Sequence, residues 1–204
     1  LCEKNVGLWS TPPLDYFSSL DGILDSLRAI GYYEEMTYYI EKTEQLDNVS
    51  YPEYFRFLVR KTAMIYRLVF FLNTGRHEEA ITCISNSDPD LLKAYSLIDD
   101  EKQSELLFYI ASAYLKAGNT KKAQKHINEI VLTGKVNYQS VVYKAARLMN
   151  MLIHYENNNL DYLDYEIRSY KRAFQHKGKF LETEKIFLKA IKLYPGLTSS
   201  HRND

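Results

Sequence analysis

The residues of this chain best suited to chemistry are five histidines, two cysteines and three acidic or glycine-lysine clusters, and their spacing suits neither catalysis nor metal binding. His77, His126, His154, His176 and His201 are scattered. A helical zinc site needs two histidines one turn apart with an acid between them. His77-Glu78-Glu79-Ala80 supplies the first histidine and the acid but no second histidine. His154-Tyr155-Glu156 points its polar side chains from different faces of a helix. Gly134-Lys135-Val136 is a turn with a lysine, without the further glycine or the Ser/Thr that a phosphate cradle uses. Asp99-Asp100-Glu101 and the group Asp161, Asp164 and Glu166 read as charges at helix N-termini, where they favour the macrodipole. Cys2 and Cys83 form no spacing motif, and Cys83 falls in a helical run as a small hydrophobe. The expectation is no catalytic residue, no metal and no cofactor in this stretch, and a reducing, cytoplasmic setting.

Bulk composition narrows the class further. The 204 residues carry 26 Lys plus Arg against 26 Asp plus Glu, so no net field draws the chain to nucleic acid or to a membrane surface. The charge is unevenly spread. Residues 1–60 hold ten acids against five bases, and residues 167–204 hold nine bases against three acids. No apolar run approaches the roughly 18 residues that a membrane span needs. Without an initiator Met or a signal segment, the sequence reads as part of a longer protein. The 18 tyrosines suit shallow helix seams and ligand grooves equally, since each buries a ring and keeps a polar tip.

Elements that could position a site are helical throughout. Prolines and glycines fall between apolar runs of period 3.6, and no β-branched alternation bounded by turns occurs. Gly31, Gly75 and Gly118 each end one amphipathic stretch and open another, at intervals of 44 and 43 residues. Such a unit is a helical hairpin, and its repetition predicts a solenoid. Four hairpins are expected. The first follows an extended lead-in over 1–15 that contains Trp9 and Pro12-Pro13. The second opens at Ser50-Tyr51-Pro52-Glu53, which fits a capping box. Asp88-Pro89 predicts a cap and first-turn proline for a short extra helix through Leu91, Leu92 and Tyr95. The third hairpin is lined by Leu107, Ile110, Ala111, Tyr114, Ala123 and Ile127. The fourth opens near Tyr138 and turns at Asn157-Asn158-Asn159, because Asn tolerates the left-handed region. A last helix follows Gly178 and stops at Pro195-Gly196, and residues 195–204 are expected to be disordered.

Leu107, Ile110, Ala111, Tyr114, Gly118, Ala123 and Ile127 resemble, in register, the tetratricopeptide repeat. Met64, Leu68, Phe71, Gly75, Ala80 and Ile84 match it more loosely. The first repeat keeps Leu20, Ile23, Leu27, Gly31 and Ile40 but has Met36 where a small residue belongs. The fourth keeps Leu148, Met151, Tyr155 and Ile167, with its turn one residue out of register. The period of 40 to 44 exceeds the ~34 of the standard repeat. The closing segment from Tyr170 to Tyr194 is similar to the ends of uncharacterised bacterial proteins of this kind. The resemblance implies an all-α, right-handed α-solenoid over 16–194, with about four antiparallel hairpins and a C-terminal capping helix.

It also implies a concave groove lined by the first helix of each hairpin. The positions carried over are Thr62, Ile65, Val69, Leu72 and Asn73, then Glu105, Phe108, Ser112, Leu115 and Lys116, then Ala146, Met149, Ile153, Glu156 and Asn157. The narrower set expected to touch a partner is Leu72, Asn73, Glu105, Phe108, Lys116, Met149, Ile153 and Asn157. Such an apolar trough with polar ends fits a peptide or helical segment of a protein partner. The same residues would equally serve as filler between tightly packed helices. Two functions follow: a protein–protein interaction module, or a ligand- or peptide-sensing regulatory domain of a longer signalling or transcription protein. Neither involves nucleic acid through this region, and the oligomeric state is left open.

Overall fold

A computed structural model describes residues 10–92, 100–133, 140–175 and 181–192. Most of the expected lead-in, the region around Tyr138, the Gly178 turn and the 195–204 tail lie outside the described residues. Among the described residues there are nine α-helices and no strand. They are α1 (Leu14–Ile30), α2 (Tyr33–Glu44), α3 (Glu53–Asn73), α4 (His77–Asn86), α5 (Asp100–Lys116), α6 (Thr120–Thr133), α7 (Val141–Glu156), α8 (Leu160–Gln175) and α9 (Glu182–Lys192). The chain is all-α, as its apolar periodicity requires, and no described helix is long and apolar enough to cross a membrane.

The helix breaks obey one rule. Gly31, Gly75 and Gly118 have φ of 78°, 77° and 74°, and Asn158 has φ of 53°. After Gly31, Gly75 and Asn158 the next amide turns back to cap the helix. Tyr32 N–H reaches Leu27 O at 2.9 Å, Arg76 N–H reaches Phe71 O at 2.8 Å, and Asn159 N–H reaches His154 O at 2.9 Å. Three glycines and one asparagine therefore produce the same turn at intervals of 44, 43 and 40 residues.

Helix starts are less uniform. Asp88 caps the 3-10 turn Pro89–Leu92, its Oδ1 accepting Asp90 N–H at 2.9 Å. The expected capping box at Ser50 does not form. Asn48 Oδ1 takes both the Ser50 N–H at 2.9 Å and the Ser50 hydroxyl at 2.8 Å. The Asn48 side chain is closer in sequence and closes an Asx turn first. Helix α3 then begins at Glu53 behind Pro52, whose φ of −57° leads into the helix without a side-chain cap.

The chain forms two compact units, Leu1–Gly118 and Asn119–Asp204. In the first, α3 is the central element, packed by α1, α2, α4 and α5. From Lys61 to Phe70 every residue is buried except the partly exposed Arg67. Leu24, Met36, Ile40, Ile84, Leu106 and Ile110 close around it. A second cluster surrounds its N-terminal end, where Phe17 and Phe55 meet edge to face at 5.8 Å. Each such side chain, fully buried, contributes on the order of 1.5–3 kcal/mol. In the second unit, α7 lies between α6 and α8. Ala123, Ile127, Met151, Leu163 and Ile167 fill its interior, with Leu188 and Ile191 buried on α9. Glu184 accepts the Leu181 N–H at 3.2 Å at the start of α9 and stands 3.9 Å from Lys144 of α7.

The turn rule makes a prediction of opposite signs. A Cβ at Gly75 would meet nothing within 4 Å, so the cost of Gly75→Ala is purely conformational, about 1–2 kcal/mol. Asn158→Gly relieves the same strain and should raise stability by a fraction of that amount. Urea melts of both variants check this, and equal shifts in one direction would contradict it.

Candidate functional site

The eight residues expected to line a groove fall in both units and in different environments. Leu72 is half-buried against the core of the first unit. Asn73 is exposed and spends its amide on Val69 O at 2.7 Å. The Glu105 carboxylate takes the Arg28 guanidinium, which also reaches the Tyr109 hydroxyl at 3.2 Å. Phe108, half-exposed, packs edge to face on Tyr109 at 5.6 Å. Lys116 is exposed at the end of α5. In the second unit Met149 is half-exposed and Asn157 exposed. Ile153 has no exposed surface, which corrects its assignment to an open groove: α7 is covered from two sides, so its apolar positions become core.

The same correction applies to α3. Thr62, Ile65 and Val69 are 0%, 0% and 1% exposed. That face meets neighbouring helices, and beside it the charges are already engaged. Tyr66 donates to Asp21 Oδ1 at 2.8 Å, and Lys102 Nζ lies 2.9 Å from the same oxygen.

The opening in the first unit lies on roughly the opposite face of α3, at the positions 60, 63, 64, 67 and 71 that a period of 3.6 brings into line. There a cleft of about 570 Å³ runs between α2 and α4. Its floor is Val59, Ala63, Met64 and Phe71, with Leu91 of the 3-10 turn. One wall is the end of α2, with Glu44 and Asp47. The other is the face of α4 formed by Glu79, Thr82, Cys83 and Asn86. None of the eight expected groove residues lines it. The sequence signal that could have found it is the second α3 stripe, Arg60, Ala63, Met64, Arg67 and Phe71, which the repeat register assigns to a covered face.

Ion pairs fix the edges of this cleft. Arg67 holds Glu44 through a two-pronged contact, Nη2 to Oε2 at 2.6 Å and Nε to Oε1. Arg60 Nη1 reaches Asp88 Oδ2 at 3.1 Å, and Asp47 Oδ1 accepts Arg56 Nε at 2.8 Å. Burial pushes the Cys83 thiol up, Arg67 pulling it down and Glu44 pushing it up again. A raised pKa leaves less of the thiol ionised, which slows it as a nucleophile. Among the described residues no group of three His, Cys, Asp or Glu side chains could hold a metal ion.

Buried charges also stand outside the cleft. Lys61 has no exposed surface, donates to Gln103 Oε1, and sits 5.1 Å from the centre of the Phe57 ring. Burial lowers its ammonium to about 8. In the second unit Arg147 Nη2 meets Glu166 Oε2 at 2.8 Å inside the α7–α8 seam. Ser169 Oγ at 3.2 Å and the Tyr143 hydroxyl at 3.4 Å accept further guanidinium protons. One turn along α7, Asn150 faces Tyr162, yet neither of its polar atoms reaches hydrogen-bond geometry. His154 stacks on the Tyr162 ring at 4.0 Å, with Gln124 3.2 Å from its Nε2. Burial lowers the His154 pKa against the pull of Glu166, which keeps the ring neutral at neutral pH.

Two predictions follow from these charges. Lys61 binds its proton more weakly folded than unfolded, so its burial penalty is complete below pH 8 and disappears between about 8 and 10.5. Stability should rise with pH across that window, and Lys61→Met should be more stable at pH 7 and lose the rise in urea melts. For the buried pair, Arg147→Met leaves Glu166 unpaired and should cost about 3–5 kcal/mol. The double change with Glu166→Leu should recover most of that loss. Additive losses in a double-mutant cycle would show that the two charges are not coupled.

No protein-family model matches the chain, and neither the curated proteins nor the solved structures contain a significant match to it.

Proposed function

We propose that this chain is a protein–protein interaction module of the tetratricopeptide-like kind, which holds a peptide or helical segment of a partner protein. The observation that carries the reading is the 570 Å³ cleft of the first unit, with its apolar floor and its ion-paired edges. Its volume falls in the range of ligand-binding clefts, and a groove between two helices over a third receives an apolar side-chain row readily.

The solenoid part of the reading is supported by the left-handed turns at intervals of 44, 43 and 40 residues. It is also supported by packing inside each unit. In the first, α2 and α4 lie against the helix that opens the following hairpin, and α3 lies against α5. In the second, α6 lies against α7 in the same way. That is the contact order of stacked helical hairpins. A right-handed superhelix closed by α9, in a cytoplasmic setting where Cys83 stays a free thiol, completes the proposal.

Selection from a random peptide display library tests it. The full chain should enrich peptides with spaced apolar residues. The double variant Thr82→Trp, Asn86→Trp fills the cleft from two exposed wall positions and should lose them while melting like wild type. Enrichment that is indifferent to this variant would place binding away from the cleft, and no enrichment at all would remove the reading.

A further inference from the structure

The charge around the cleft specifies its occupant further. Its lining has four carboxylates, Glu44, Asp47, Glu79 and Asp88, against the two guanidiniums of Arg60 and Arg67. The guanidiniums rise from the floor helix and are matched to the inner carboxylates: Arg67 to Glu44, Arg60 to Asp88, and Asp47 to Arg56 at 2.8 Å with Arg60 at 3.8 Å, which leaves Glu79 of the lining outside these pairs. The surplus is therefore on the walls. On the α2 side exposed Glu41 stands near Arg67 beside Glu44, while Glu34 is engaged by Arg76 at 3.9 Å; within α4, Glu78 and Glu79 face no lysine or arginine of that helix. Glu79 stands exposed on the lip of the cleft. An apolar trough between two acidic walls repels an acidic peptide and steers a basic one into register.

We propose that the occupant is an apolar segment of a partner protein flanked on both sides by lysine or arginine. Its apolar side chains lie on Ala63, Met64 and Phe71, and its basic flanks meet the α2 and α4 carboxylates. The distance from Arg60 to Phe71 along α3 is roughly 16 Å, which accommodates about three turns of an amphipathic helix. This inference rests on the reading of the first unit as a binding module and adds the chemistry of the partner.

Cys83 provides the readout, because it lies in the wall and an occupant covers it. The probes are two synthetic amphipathic peptides with the same leucine and phenylalanine row, one flanked by lysines and the other by glutamates. Alkylation of Cys83 by iodoacetamide is followed in the full chain carrying Cys2→Ser at alkaline pH, where part of the buried thiol is ionised. The lysine-flanked peptide should slow alkylation at concentrations at least tenfold below those of the glutamate-flanked peptide. That preference should shrink as salt shortens the screening length. The variant Glu79→Lys, Asn86→Lys should reverse it. Equal protection by both peptides, or better protection by the glutamate-flanked one, overturns the basic-partner inference and leaves the binding module standing. Protection by neither peptide overturns this inference as well. If the display selection also yields nothing, the module reading falls with it.

Discussion

Burial of α3 on nearly every side is the constraint on which the first unit depends. A helix with ten consecutive interior positions, Arg67 alone reaching solvent, can exist only if other helices supply its surroundings. Helices α1, α2, α4 and α5 do so, and the apolar cluster of Leu24, Met36, Leu68 and Ile110 is the result. The hydrophobic gain is large because the sequence offers aromatic and branched side chains on all faces of this helix rather than on a single stripe. Between α2 and α4 the enclosure is incomplete, and the cleft lies there.

Charged residues on this helix follow from the same enclosure. Arg60 and Arg67 emerge at the gap and reach carboxylates on its edges, which keeps apolar floor atoms accessible between fixed walls. Lys61 emerges where there is no gap. It finds an amide and an aromatic ring in place of a carboxylate, and its lowered proton affinity is the physical mark of that mismatch. The second unit solves a comparable problem by pairing, with Arg147 and Glu166 satisfying each other and Ser169 and Tyr143 taking the remaining protons. Removing one partner of such a buried pair costs more than the pair itself contributes.

The helix turns and the all-helical class were legible in the sequence. Only glycine occupies the left-handed region without penalty, and asparagine enters it at small cost. Gly31, Gly75, Gly118 and Asn158 therefore mark helix ends by local chemistry alone. Apolar periodicity likewise required an all-helical chain. The N-cap of α3 was less legible, because Ser50 had a nearer competitor in Asn48 for the same hydrogen bond.

Which face of α3 would stay open was decided by tertiary structure. Apolar content alone does not rank Thr62, Ile65 and Val69 on one stripe against Ala63, Met64 and Phe71 on the other, and Arg60 and Arg67 on the second were its outward signal. The neighbours rank them: helices close over the first stripe, while α2 and α4 leave the second between them. Ile153 became core for the same reason, since α6 and α8 cover α7 from two sides. Local sequence determines where a helix stops, because the cost is paid within one turn. Which of two apolar faces remains exposed depends on residues tens of positions away, and only the packed chain brings them together.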